Sequence, residues 1–224
     1  MIRILLADTE QLNVNSVLGK AVLPSDVGGT EKNNKERVGA YALLSFAISA
    51  YTDMDLTGAS VSRDQYGKPR LTDLQGGTLP IHFSISHSAG IVAVAISDEG
   101  EIGIDLEPRV QEDRAERLSR RLAGSLPPKD FSCESIADLV TVFRLMEDGT
   151  PAEVGGVVSN VACQKHLPFT ARWTVMEAVM KCDGRGFAAV SDIQGLYREH
   201  GVGTTAISIG GRVYYLSLAT VKNK

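Results

Sequence analysis

The sequence predicts an α+β fold, and two observations support this class. Segments with the periodicity of helices alternate along the chain with short apolar runs typical of β-strands. The strand-like runs occur in both halves of the chain, at 2–7, 81–87, 91–97, 101–107, 205–210 and 212–220. No internal repeat is visible by eye.

The first half is predicted to contain a strand, a long helix and a hairpin. After the strand IRILLA (2–7), a turn-rich stretch ends in Gly28-Gly29-Thr30 and leads into the helix. The apolar face of that helix includes Val38, Tyr41, Leu44 and Ile48. IHFSISH (81–87) and IVAVAIS (91–97) are joined by Ser88-Ala89-Gly90, which suits a tight hairpin. EIGIDLE (101–107) follows a turn, so three antiparallel strands in succession are expected.

The second half is predicted to be helical before a closing hairpin. We expect a charged helix over 111–123, a second helix over 135–146 and a loop or irregular hairpin over 147–160. A further helix spans 170–187, with Thr170 as its N-cap and Gly184 as its stop. The strands 205–210 and 212–220 then pair through Gly210-Gly211.

Composition excludes several functional classes. The chain has 224 residues with 43% hydrophobic side chains, enough for one large domain or two small ones. A net charge of −4 gives no global attraction to nucleic acid. No apolar stretch is long enough for a signal peptide or a membrane span, so we expect a cytoplasmic protein. The three cysteines form no CxxC pair and are interpreted as reduced structural thiols.

EIGIDLE places two acids on one face of a predicted strand. Because side chains alternate along a strand, Gly103, Asp105 and Glu107 point away from the isoleucines and the leucine. The simplest interpretation is a solvated strand face, which needs no further function. The alternative is that the paired carboxylates form half of a metal site.

The helix at 170–187 carries an acid and a base on one face. Trp173, Glu177 and Lys181 are four residues apart, so they line up along one side. A surface Glu–Lys pair of this kind is common and worth a few tenths of a kcal/mol. Here the neighbouring residues in WTVMEAVMKC are mostly apolar, which indicates partial burial and a specific partner for the carboxylate.

Four motifs in order resemble the 4′-phosphopantetheinyl transferase superfamily. They are GKP (67–69), FSISHS (83–88), GIDLE (103–107), and W-x-x-x-E-A-x-x-K (173–181) followed by GRGF. Chain length favours the single-chain, two-lobed Sfp type. The resemblance therefore implies two similar α+β lobes related by a pseudo-twofold, with the active site at their interface. We expect lobes at 1–98 and 99–224, the second enlarged around 124–166.

The resemblance implies a reaction. The 4′-phosphopantetheine arm of coenzyme A would pass to a serine hydroxyl of an apo acyl or peptidyl carrier protein, releasing adenosine 3′,5′-bisphosphate. Mg²⁺, or Mn²⁺, would be held by Asp105, Glu107 and Glu177, because a hard cation reverses the repulsion between carboxylates and a pyrophosphate. Glu177 or a metal-held water would take the serine proton, and Lys181 would neutralise the departing phosphate.

The remaining expected contacts are to coenzyme A. His87, beside Ser86, would donate to the pyrophosphate, and Lys68 would contact another phosphate. Arg37, with Lys32 or Lys35, would hold the 3′-phosphate. The alternatives are a satisfied histidine in a hairpin for His87 and a solvated helix face for the basic cluster.

The sequence also departs from the family pattern. Met176 stands where the family usually has a lysine, and the spacing between the two acidic motifs is long. A catalytically weak or inactive homologue that binds coenzyme A or a carrier, and a magnesium-dependent phosphohydrolase, therefore remain open.

Partners follow from the same reasoning. We expect a monomer that contacts neither nucleic acid nor membrane. The basic face of the helix at 111–123 is a candidate surface for an acidic carrier protein, although a solvated face explains it nearly as well. That face is formed by Arg114, Arg117 and Arg121.

Overall fold

The structure, a computed structural model, has the predicted α+β class. It describes residues 1–17, 22, 31–154, 157–159 and 166–222, without the side chains of 31–34 and 157–159. The chain forms two compact units, Met1–Glu99 with Val140–Gly155 and Gly100–Leu139 with Gly156–Lys224, apart from the gaps just named. In the described part of the chain, no helix is both long and apolar enough to cross a membrane.

The first unit is built on a five-stranded sheet and a long helix. Its helices are α1 (Val14–Val17) and α2 (Glu31–Tyr51). Its strands are β1 (Ile2–Asp8), β2 (Ser60–Arg63), β3 (Pro69–Thr72), β4 (His82–Ser88), β5 (Ile91–Ser97), β7 (Val140–Leu145) and β8 (Pro151–Glu153). The large sheet has the order β4-β5-β1-β7-β8, and β2 and β3 form a separate two-stranded sheet.

Helix α2 supplies the core of the first unit. Its predicted apolar face is confirmed, since the four residues named above are at most 5% exposed. They pack in one cluster with residues of the sheet, among them Leu5, Val94 and Ile96. The helix therefore covers one face of the sheet.

The predicted helix at 135–146 is wrong. Residues Ala137–Leu139 form one short 3₁₀ turn, and Val140–Leu145 is a strand that pairs in parallel with β1. VTVFRL is rich in β-branched and aromatic residues, which favour a strand when a sheet edge is available. The irregular hairpin expected at 147–160 is present in part, because β7 turns at Asp148-Gly149 into β8.

The second unit is a four-stranded sheet covered by a helix. Its strands are β6 (Ile102–Pro108), β9 (Val157–Ser159), β10 (His200–Ile209) and β11 (Arg212–Val221). Its helices are α3 (Glu112–Arg121), α4 (Phe169–Asp183) and α5 (Ile193–Glu199), with a 3₁₀ turn at Gly186–Asp192. The sheet order is β6-β11-β10-β9. The charged helix and the closing hairpin are both confirmed.

The prediction of three successive antiparallel strands over 81–107 is wrong for the third strand. β4 and β5 form the expected hairpin, but all seven residues of β5 also pair with β1 on the other side. No edge of β5 is left for β6, which pairs with β11 instead. The chain thus leaves the first unit after Glu99, one residue from the predicted lobe boundary, whereas the segment beginning at Val140 returns to it.

The two units share the topology of a three-stranded core, but their flanking strands differ: β7 lies beside β1 in the first unit, and β9 lies beside β10 in the second. In the first unit, β1 is followed by α2 and by the hairpin β4-β5, and β5 lies between β4 and β1. In the second unit, β6 is followed by α4 and by the hairpin β10-β11, and β11 lies between β10 and β6. All four pairings are antiparallel. The repeat is structural, with no visible counterpart in the sequence.

Helix α4 begins and ends close to its predicted bounds. Gly184 stops it as predicted, with a left-handed φ of 90° and its amide donating to Met180 O at 3.0 Å. Thr170 is not the N-cap, because the helix begins after Pro168. Its hydroxyl accepts a hydrogen bond from the Val110 amide at 2.9 Å instead. Thr170 therefore ties the start of α4 to the segment after β6.

Candidate functional site

The acidic face of β6 is covered by helix α4. A Cβ atom at position 103 would fall far inside van der Waals contact with the Ala178 carbonyl oxygen and the Cys182 amide nitrogen. Gly103 therefore lets the helix backbone rest on the strand. Asp105 lies on the same face and is only 5% exposed. This burial excludes the solvated strand face for Asp105.

Lys181 on α4 is the ionic partner of Asp105. Its ammonium nitrogen lies 2.8 Å from Asp105 Oδ1 and donates a second hydrogen bond to the Ile104 carbonyl oxygen at 3.0 Å. The side chains are 32% and 7% exposed, respectively. A desolvated, charge-assisted pair of this kind holds both groups in a fixed geometry. Lys181 therefore forms its ion pair with a residue of strand β6. A surface pair between Glu177 and Lys181 would involve helix α4 alone.

Glu177 lies one helical turn before Lys181 and is half-buried. The pKa of its carboxyl group is raised to about 7, chiefly by burial and also by Asp105 and Glu107, while Lys181 opposes the change. The three acids therefore lie within electrostatic reach of one another. A carboxyl group with a pKa near neutrality, beside a lysine, is a typical feature of acid–base sites.

The carboxylate oxygens of these three acids are the type of ligand that a hard divalent cation binds. Neighbouring carboxylates, of which Asp105 and Glu107 raise the pKa of Glu177, are stabilised by a cation that binds oxygen ligands. Within the ranges that the structure describes, however, no three His, Cys, Asp or Glu residues surround a common point as metal ligands. Asp105, Glu107 and Glu177 would be the residues that hold Mg²⁺. Lys181 would contribute positive charge beside it.

A small cavity adjoins Glu107. Its volume is about 170 Å³, and its lining includes Glu107, Arg109, Arg114 and Trp173. The Trp173 ring packs edge-on against Phe169, with ring centroids 5.6 Å apart. The cavity therefore combines an aromatic wall with two guanidinium groups beside a candidate metal ligand.

Sequence reasoning missed a chain of buried hydroxyl groups beside Asp105. Ser217 is the cross-strand partner of Asp105. Its hydroxyl lies 2.7 Å from that of Thr174 on α4 and 3.0 Å from that of Thr204 on β10. These bonds satisfy polar groups beneath the helix and link it to two strands. Only the strand register, which the sequence does not specify, brings the three residues together.

In the first unit, His87 is held by an acid that sequence reasoning also missed. His87 Nδ1 lies 2.9 Å from Glu36 Oε2, and Glu36 Oε1 accepts a hydrogen bond from the Gly90 amide at 2.8 Å. The Glu36 side chain is 11% exposed, against 38% for His87. In the sequence, Glu36 stands between Lys35 and Arg37, and no local pattern separates it from an ordinary solvated acid.

The other proposed coenzyme A contacts also belong to the first unit. Ser86 and Lys68 are buried, at 6% and 8% exposure, and Arg37 is half-buried. Lys35 donates a hydrogen bond to the Glu10 carbonyl oxygen at 2.6 Å. The side chain of Lys32 lies outside the described residues. Of the predicted site residues, Asp105 and Lys181 are bonded to each other in the second unit, and Glu177 lies within electrostatic range of both.

No family model matches the chain, and no curated protein is significantly similar to it. The resemblance to the phosphopantetheinyl transferases therefore depends on the sequence motifs alone.

Met176 lies in the core of the second unit. It is 1% exposed and belongs to the same apolar cluster as Val175 and Val179. A lysine at this position would have to bury its ammonium group or displace the core. The departure from the family pattern at 176 is therefore consistent with how α4 packs in this protein.

We predict that Gly103→Ala destabilises the protein by about 3 kcal/mol, since the added methyl group would collide with the backbone of α4. Gly100→Ala is the matched control, because a Cβ there meets no atom within 4 Å. Urea unfolding measures both variants. Equal stability of the two variants would contradict the close contact between helix and strand.

We predict that Met176→Lys lowers stability by about 4 kcal/mol, because burying a lysine typically shifts its pKa by about three units at 1.36 kcal/mol each. Met176→Leu, of similar volume, should cost less than about 1.5 kcal/mol. Thermal and urea unfolding distinguish the two. A lysine variant as stable as wild type would show that position 176 can reach solvent.

Glu177 should make stability depend on pH. The folded protein keeps this proton up to about pH 7, whereas the unfolded chain releases it near 4.5. The contribution of Glu177 to stability therefore falls as pH rises from about 4.5 through 7. Glu177→Gln should remove this part of the pH dependence in urea unfolding without added metal, and the exposed control Glu199→Gln should retain it. Identical pH profiles for wild type and Glu177→Gln would contradict the raised pKa.

Proposed function

We propose that the protein transfers the 4′-phosphopantetheine group of coenzyme A to a serine hydroxyl of an acyl or peptidyl carrier protein. The observation that carries the proposal is the buried Asp105 on β6, to which Lys181 of α4 bonds, with the raised pKa of Glu177 one turn before Lys181 on the same helix. An ordinary solvated strand would have neither feature. The four motifs in family order support the same reaction.

The side chains can perform the required proton and charge transfers. In the reaction, the serine oxygen bonds to the β-phosphorus of coenzyme A, and the bond from that phosphorus to the oxygen of the departing bisphosphate breaks. Glu177, as a carboxylate, or a water held by the metal would accept the hydroxyl proton as general base. The Lys181 ammonium would offset charge on the departing adenosine 3′,5′-bisphosphate.

Mg²⁺, held by Asp105, Glu107 and Glu177, would supply charge neutralisation at the pyrophosphate. His87, Ser86 and Lys68 are proposed to contact phosphates of coenzyme A, and Arg37 with Lys32 or Lys35 the 3′-phosphate. These assignments come from the motif resemblance. The proposed location is the cytoplasm, which agrees with the free thiols of Cys133 and Cys182, the two cysteines among the described residues.

Helix α3 is the proposed docking surface for the carrier protein. Arg114, Arg117 and Arg121 are exposed, and α3 has no buried residue. The exposed ion pair on this helix joins Glu116 to Arg120 at 3.1 Å, so it engages none of the three. Because Arg114 also lines the cavity beside Glu107, a carrier bound to α3 would lie next to that cavity.

The shared topology of the two units supports the finer fold assignment. A family made of two similar α+β lobes requires the same order of strand, helix and hairpin in each half, and both units have it. The proposal therefore includes the two-lobed transferase fold.

A second candidate is a catalytically weak or inactive homologue that binds coenzyme A or a carrier protein. The observation that favours it is Met176, which is buried where the family usually has a lysine. This candidate predicts coenzyme A binding without turnover.

The decisive assay incubates the protein with Mg²⁺, coenzyme A and a panel of apo acyl and peptidyl carrier proteins, then weighs each carrier by mass spectrometry. We predict that at least one carrier gains one phosphopantetheine group. Glu177→Gln should lower kcat/KM about 10²- to 10⁴-fold, the range typical of a lost general base, while the exposed control Glu199→Gln should not.

Three results separate the candidates. Loss of transfer with a chelator, and its recovery with Mg²⁺, supports the metal assignment. Coenzyme A binding with no mass gain in any carrier favours the inactive homologue. Release of the bisphosphate without a carrier indicates a phosphohydrolase.

A further inference from the structure

The hairpin turn beside His87 has an unusual backbone and is held by other parts of the first unit. Ala89 has a φ of +53° and Gly90 a φ of +88°, the left-handed conformations of a type I′ turn. Alanine is uncommon in this region and costs about 1–2 kcal/mol there. The amide and hydroxyl of Thr9 both donate to the Gly90 carbonyl oxygen, at 3.0 and 2.9 Å. The Gly90 amide donates to Glu36.

Glu36 bridges this turn and the imidazole ring. One carboxylate oxygen binds the Gly90 amide, and the other lies 2.9 Å from His87 Nδ1. A buried carboxylate is costly unless its oxygens are satisfied, so its place under the hairpin is stabilised by these two groups. Because a carboxylate accepts hydrogen bonds only, the hydrogen of the contact is on His87 Nδ1.

The bond to Glu36 determines what the other ring nitrogen can do. With one hydrogen, placed on Nδ1, the ring presents Nε2 as an acceptor. With two hydrogens, the carboxylate balances the charge and Nε2–H is a charge-assisted donor. A phosphate oxygen needs a donor, so phosphate binding selects the doubly protonated ring. The exposed imidazole, 38% accessible, can reach such a ligand.

We propose that Glu36 is a positioning residue that fixes the orientation of His87 and balances the charge of its doubly protonated ring, so that Nε2–H donates to a phosphate of coenzyme A. The inference rests on the proposed function for the identity of the ligand. Glu36 does not touch the ligand; it acts through His87, as the acid partners of catalytic and metal-bound histidines do. The strained turn at Ala89 is held by the same carboxylate.

Glu36→Gln keeps the shape of the side chain but removes its charge and changes which atom carries the hydrogen in the contact with His87. The glutamine oxygen can still accept from Gly90, but its amide nitrogen donates to Nδ1. The neutral ring then carries its hydrogen on Nε2, and the balancing negative charge is lost. A neutral donor is weaker than a charge-assisted one, so coenzyme A binding should weaken about tenfold. Glu153→Gln, an exposed change on β8 of the same unit, is the matched control.

Two measurements test the inference. Long-range ¹H–¹⁵N correlation of the imidazole should show hydrogen on Nδ1 of His87 in the wild type, a switch to Nε2 in Glu36→Gln, and protonation of Nε2 when coenzyme A is added to the wild type. Calorimetry should show tenfold weaker coenzyme A binding for Glu36→Gln. In turnover assays of Glu36→Gln, the KM for coenzyme A should rise, while kcat and the KM for the carrier should stay unchanged.

A double-mutant cycle tests whether Glu36 acts through His87. In a His87→Ala background, Glu36→Gln should weaken coenzyme A binding less than twofold. A full tenfold effect in that background would overturn the inference. The spectrum of the wild-type protein is a test that does not depend on whether a variant folds. Hydrogen on Nε2 but not on Nδ1 of His87 in the wild-type protein without ligand would also overturn the inference.

The outcomes keep this inference distinct from the proposed function. If no carrier is modified but coenzyme A binding still depends on Glu36, the proposed function fails and the inference holds. If carriers are modified while wild type and Glu36→Gln bind coenzyme A equally, the inference alone fails. A wild-type protein that binds neither coenzyme A nor adenosine 3′,5′-bisphosphate overturns both.

Discussion

The close contact between β6 and α4 is the constraint on which the candidate site depends. Gly103 has no side chain, so the backbone of α4 rests directly on the strand at Ala178 and Cys182. This contact covers the face on which Asp105 lies and brings Lys181 within hydrogen-bonding distance of it. Neither a larger residue at 103 nor a more distant helix would bury the acid together with its partner. The glycine in GIDLE is therefore a structural requirement of the site, because it sets the distance between strand and helix.

The arrangement is unfavourable for stability alone. A buried ion pair gains little over apolar packing, and a carboxyl group with a pKa raised to about 7 destabilises the fold above that pH. The neighbouring core is well packed, with Val175, Val179 and Met180 at most 1% exposed. The free-energy cost to folding is therefore confined to the region that contains the acids, the lysine and the cavity. Such a local departure from good packing rules is typical of functional sites.

Local patterns predicted the elements whose signals lie within one stretch of sequence. The apolar runs at 2–7, 81–87 and 91–97, the apolar face of α2 and the Gly210-Gly211 turn each indicated the element that forms. The predictions were wrong where pairing between strands distant in sequence determines the structure. Val140–Leu145 becomes a strand because β1 offers it a parallel partner, and β6 joins β11 because both edges of β5 are taken. In the site, strand alternation and i,i+4 spacing correctly placed Asp105, Glu177 and Lys181 on facing elements. Glu36 and Ser217 could not be found this way, since their partners are distant in sequence.

The central proposal is that Asp105, Glu107 and Glu177 share one divalent cation. The most direct measurement is a crystal structure grown with Mn²⁺ and coenzyme A, with anomalous scattering used to locate the metal. We predict one anomalous peak bonded to oxygens of all three carboxylates and of the pyrophosphate, at about 2.0–2.3 Å for a small hard cation. A bound coenzyme A with no such peak, or a peak that contacts none of the three acids, would contradict the account.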